Sequence, residues 1–115
     1  MEQLKTEIWV QALVRTAQVG GAFATVARRG DRDGGAVLVK SLTLDGRARV
    51  YAPALNAAGE RVWLDLSSGH LGDDEAAVDA YVAKRLSADP DLWVVEIEDR
   101  AGRTFLTDPI ESVGG

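Results

Sequence analysis

A chain of 115 residues, 46% apolar and 27% charged, has the makeup of one globular domain spanning residues 1–115 rather than of a disordered tail. Its net charge of −5 argues against nucleic-acid binding, because contacts from basic side chains to phosphates supply most non-specific affinity for DNA or RNA. The absence of cysteine excludes disulfides, thiolate catalysis and cysteine zinc sites, and it fits a reducing compartment.

The opening "MEQLKTEIWV" has no basic segment followed by a long apolar one, and no apolar run approaches the ~20 residues of a membrane span. A cytoplasmic protein without membrane contact is expected. Residues 5 to 18 read as a helix: Ile8, Trp9, Ala12, Leu13 and Ala17 recur at three- and four-residue spacing, and Gly20-Gly21 ends the run. "AFATVARR" alternates as a strand, "GDRDGG" reads as a hairpin loop, and "AVLVKSLTL" is a second strand rich in β-branched residues. Asp45-Gly46 carries the signal of a type I′ hairpin turn, which makes "RARVYAPA" the returning strand. "ERVWLDL" alternates again, with Val62, Leu64 and Leu66 on one face and Trp63 and Asp65 on the other. Asp73 can cap a helix over 74–87, whose stripe is Val78, Tyr81, Val82 and Leu86 and which Pro90 stops. "LWVVEIE" is a further strand, Ala101-Gly102 turns the chain into "RTFLT", and residues 110–115 read as a frayed end.

Short turns between consecutive strands imply antiparallel pairing. The expected fold is α+β: an antiparallel sheet of about five to six strands with two helices packed on one face.

"TEIWVQALVR", "GGAFATVARRGDRDGGAVLVK", "LDGRARVYAP" and "DPDLWVVEIEDRAGRTFL" together resemble an uncharacterised bacterial family, the domain-of-unknown-function family 1491. The resemblance covers nearly the whole chain. It implies a small single-domain protein of alphaproteobacterial type and carries no activity, cofactor or catalytic residue with it.

The candidate sites are few. Glu96 and Glu98 share a strand face about 6.6–7 Å apart, within the carboxyl separation of inverting glycosidases, but any E-x-E on a strand meets that test. The apolar residues before them suit a strand whose far end leaves cover and becomes wet. Asp31 and Asp33 sit at alternate positions beside glycines and partly imitate a calcium loop; the later glutamate is missing, so no metal is expected. No phosphate-cradle motif is present. Trp63, on the face opposite its strand's aliphatic row, and Trp9, at the edge of the first helix's stripe, are candidates for an interface.

This inventory favours a non-enzymatic cytoplasmic module that needs no cofactor and binds a protein partner or a second copy of itself, its open sheet edges offering a template for strand addition. The alternative is a small-molecule-binding protein or small hydrolase whose polar groups Arg29, Lys40, Glu96 and Glu98 converge on a sheet face.

Overall fold

The computed structural model describes residues 5–113. Helix α1 (Thr6–Val19) buries Val10, Leu13 and Ala17 and stops at Gly20. Gly21, at φ 92°, turns the chain into β1 (Phe23–Arg28). Strands β2 (Val37–Leu42), β3 (Ala48–Leu55) and β4 (Arg61–Asp65) follow. Helix α2 (Glu75–Ala88) is capped by Asp74, one residue later than expected, whose carboxylate accepts from the Ala77 N–H at 3.2 Å. The chain then forms β5 (Trp93–Glu98) and β6 (Ile110–Ser112).

The six strands form one sheet in the order β1-β5-β2-β3-β4-β6. The α+β class and strand number are as the sequence predicts. The sheet is mixed, though: β5 runs parallel to β2, and β6 parallel to β4. The β2–β3 hairpin forms, but through residues 43–47 with Leu44 and Gly46 at positive φ, not through a two-residue turn. Asp45 holds it by accepting the Thr43 hydroxyl at 2.6 Å and the Arg47 N–H at 3.2 Å.

The two helices lie on opposite faces of the sheet, a correction to the expected single covered face. Side chains alternate along a strand, and here both sets are apolar. On one face Val10, Leu13 and Ala17 of α1 pack with Val37, Val39, Trp93, Val95 and Ile97. On the other, Val78 and Val82 of α2 pack with Leu38, Leu42, Val50 and Val94. Burying all six residues of β2 takes cover from both sides, as is usual for a strand with a parallel neighbour.

Three further expectations change. "GDRDGG" is not a hairpin loop, because β5 lies between β1 and β2. "RTFLT" forms no strand; it crosses as irregular chain, with Phe105 and Leu106 packed on the α1-side core. Residues 110–112, expected to fray, pair with β4, while residues 114 and 115 lie outside the described residues.

The 29–36 connection passes around the start of β5 at close range. The Asp31 N–H donates to the Asp91 carbonyl at 3.0 Å, and the Trp93 N–H to the Ala36 carbonyl at 2.8 Å. The Trp93 indole N–H donates to the Asp31 carbonyl at 2.7 Å. A Cβ on Gly30 or on Gly35 would come within 2.1 Å of the Asp91 carbonyl oxygen, so neither position has room for a side chain. Thr6 Oγ1 and the Glu7 N–H then tie the loop to the start of α1, bonding the carbonyls of Gly35 and Arg32 at 3.1 and 3.0 Å.

The turn after β5 is held by charge. Asp99 receives the Arg103 side chain at 2.7 and 3.0 Å and the Arg103 backbone N–H at 2.9 Å. The side-chain bond from Arg103, followed by the backbone one, holds the Asp99 carboxyl down at about 2. Its folded value lies below the unfolded 3.8, so the stabilisation is complete above about pH 5 and fades as pH falls toward 2. Asp99→Asn should therefore unfold at lower urea than the parent at about pH 6, with the gap narrowing by about pH 2.5. A gap of constant size would contradict this assignment.

Candidate functional site

Helix α2 packs over β2, β3 and the first half of β5 and leaves the far half of β5 and its neighbour β1 uncovered on that face. The result is a shelf beside the helix. Two rows of side chains cross it through the strand register. Thr25, Glu96 and Lys40 are aligned in one, and Phe23, Glu98 and Leu42 in the other. Phe23 is 76% exposed.

At the inner edge of the shelf Lys40 is buried, with 8% of its side chain exposed. It bonds Asp79 of α2 and lies 3.8 Å from Glu96. Burial alone would lower its pKa, but the bond to Asp79 and the charges of Glu96, Asp79 and Glu75 outweigh that and raise it. Lys40 therefore stays an ammonium at neutral pH. It has no free electron pair with which to act as a base or nucleophile, and its role is to tie α2 to the sheet.

The candidates proposed from sequence are thus partly gathered. Lys40, Glu96 and Glu98 share the shelf. Arg29 does not join them: it bonds Glu7 at the start of α1 and stacks over the Trp93 ring at 5.4 Å. Asp31 accepts the Gly34 N–H at 3.1 Å within its own loop, and Asp33 pairs at 3.6 Å with Lys5. Among the described residues no three His, Cys, Asp or Glu side chains come together as a metal site would need. Trp63 is buried rather than exposed: Trp9 of α1 stacks on it at 5.6 Å between ring centroids. The strand face it occupies is not an open one, because α1 covers it.

Sequence reading missed a second feature on the α1 side of the sheet, at the β2–β3 hairpin. There a cavity of about 420 Å³ is lined by Ser41, Arg49 and Tyr51, by hairpin residues, and by Arg100 to Gly102 of the turn after β5. The local signal was faint: Ser41 beside Lys40 in a strand of Val and Leu, and Arg49 and Tyr51 two apart on the returning one. Their convergence with Arg100 depends on β5 lying beside β2.

The shelf makes a stability prediction. Asp79→Asn takes the nearest anion from a buried ammonium; Asp79 itself is half-exposed, so the cost should be about 1–2 kcal/mol. Glu98 forms no ion pair among the described residues, so Glu98→Gln should stay within about 0.5 kcal/mol. Urea unfolding of both variants tests this, and equal effects would contradict the role given to Lys40.

Residues 4–107 match the protein family described as "Protein of unknown function (DUF1491)". The chain is similar to a DUF1491 family protein from Caulobacter crescentus CB15, known from a crystal structure (51% identity, TM-score 0.86) and an NMR structure (50% identity, TM-score 0.84). The first covers 95% of this chain and the second 97%, each over 100% of its own length. It is also similar to the solution structure of protein Atu0922 from A. tumefaciens, at 31% identity and a TM-score of 0.75, over 96% of this chain and 98% of that one. Comparison with functionally curated proteins gives no match. With its fold and nearly its whole length shared, the chain belongs to the DUF1491 family, whose function is unknown.

Proposed function

We propose that this protein is a non-enzymatic interaction module whose open shelf on β1 and β5 receives a basic segment of a partner protein. The observation that carries the reading is Phe23, an aromatic ring 76% exposed on a sheet face and aligned with Glu98. An exposed aromatic brings large contact area at low entropic cost and is enriched where proteins meet. Around it Glu96, Glu98, Asp79 and Glu75 outnumber Arg28, which stands across from Val94 at the other end of β1, and the buried Lys40, so the shelf suits an apolar side chain carried between lysines or arginines. A second copy of the chain, with its net charge of −5, suits the shelf less well.

Strand addition at the β1 edge is a weaker route than the sequence suggests. Gln18 Nε2 takes up the Ala24 carbonyl at 3.2 Å, and a bulge breaks the β1 register between Val26 and Arg28. Both features blunt an edge strand. Among the described residues no helix is long and apolar enough to cross a membrane. A cytoplasmic setting is part of the proposal and rests on the cysteine-free composition.

The test titrates the isotope-labelled protein with a short lysine- and arginine-rich peptide bearing one central phenylalanine, and with its glutamate-substituted counterpart. The basic peptide should shift amide signals of residues 23–25 and 96–98, and Phe23→Ser should weaken it at least about tenfold. Equal response to both peptides, or none, contradicts the proposal. A dimer that dissociates in Phe23→Ser, with no peptide response, would assign the shelf to a second copy instead.

A further inference from the structure

The cavity on the other face of the sheet points to a ligand of a different kind. Two hydroxyl-bearing residues, Ser41 and Tyr51, are among those that line it. Ser41 is 3% exposed and Tyr51 6%, yet neither side chain has a hydrogen-bond partner among the described residues, and neither oxygen is sealed from solvent. Both hydroxyls are thus open to hydrogen bonding by water or by a ligand.

The groups beside them are donors. Arg49 stands across from Ser41 in the β2–β3 register and uses Nη1 to hold Asp65 at 2.7 Å, which leaves its remaining N–H groups free. Arg100 lines the opposite wall and forms no ion pair among the described residues. Two carboxylates also line the cavity, each with one oxygen engaged. Asp45 holds the Thr43 hydroxyl and the Arg47 N–H, and Asp73 holds the Arg47 guanidinium at 2.7 Å. Burial, reinforced by the charge of Asp65, raises the Tyr51 pKa, so its hydroxyl remains a proton donor at neutral pH.

We propose that this cavity binds a small organic anion, its carboxylate or phosphate oxygens held by the hydroxyls of Ser41 and Tyr51 and the guanidinium groups of Arg49 and Arg100. About 420 Å³ lies within the range of small-molecule sites. Three guanidinium groups, of Arg47, Arg49 and Arg100, line the cavity against the two carboxylates of Asp45 and Asp73, and that balance favours an oxyanion over a cation. The shelf that receives the partner segment lies on the opposite face, so the two sites are separable by experiment.

The test uses the full chain at low, matched ionic strength and two minimal probes, inorganic phosphate and acetate, with chloride as the control. Amide signals of residues 41–51 and 100–102 should shift and saturate with at least one probe, and the arm that saturates tells a phosphate ligand from a carboxylate. Arg100→Gln alters an exposed side chain, so its spectrum elsewhere should match the parent; its apparent dissociation constant should rise about tenfold, and that of Ser41→Ala should also rise. The proposal is overturned if neither probe saturates at millimolar concentration, if chloride produces the same shifts, or if Arg100→Gln binds like the parent.

Discussion

Much of this structure depends on one close crossing, where the chain between β1 and β2 passes around the first residues of β5. Placing β5 between two strands that precede it in sequence forces that connection to meet β5 backbone to backbone. Gly30 and Gly35 make the approach possible, since at either position a Cβ would drive into the Asp91 carbonyl and the Trp93 ring. Trp93, 1% exposed, fills the space inside the crossing, and its indole N–H fastens the loop from within while Arg29 covers its ring from outside. The glycines and aspartates of "RRGDRDGG" therefore serve packing, and the calcium-loop likeness is incidental to that. α1 is docked on the same loop through Thr6 and Glu7, so helix, loop and β5 are fixed together.

Once β5 lies inside the sheet, between β1 and β2, the rest of the layering follows. A strand between two neighbours, with apolar residues on both faces, needs cover on both, and α1 and α2 supply one side each. Neither helix is wide enough to cover six strands. The two candidate sites arise where cover ends. On the α2 side the acidic end of β5 and the bare face of β1 form the shelf, with the Lys40 ammonium drawn under the helix and paired with Asp79 and Glu96 there. On the α1 side the turn locked by Asp99 and Arg103 carries Arg100 over Ser41 and Tyr51 and closes the cavity.

How much of this was legible in the sequence depended on range. Both helices were readable from local periodicity, and so were the β2–β3 hairpin and the wet end of β5 at Glu96 and Glu98. Which strands lie side by side was not, because nothing near residue 30 announces that residue 91 will sit against it. One further signal lay in "AVLV" and "LWVV", which are continuous apolar runs rather than alternating ones. Such runs suit strands covered on both faces, which placed the second helix on the other side and Trp63 beneath α1. The cavity was illegible for the same reason as the topology, since Ser41, Tyr51 and Arg100 meet only after β5 takes its place.

The account is tested most directly by three single alanine substitutions in the crossing loop, compared by urea unfolding with tryptophan fluorescence as the signal. A Cβ on Gly34 would meet nothing closer than an Asp31 carboxylate oxygen at 3.9 Å, so Gly34→Ala should be neutral or slightly stabilising. Gly30→Ala and Gly35→Ala should each cost about 1–3 kcal/mol or more, because what they strike is backbone that cannot swing aside. Equal and mild effects at all three positions would contradict the claim that the approach to β5 sets this fold.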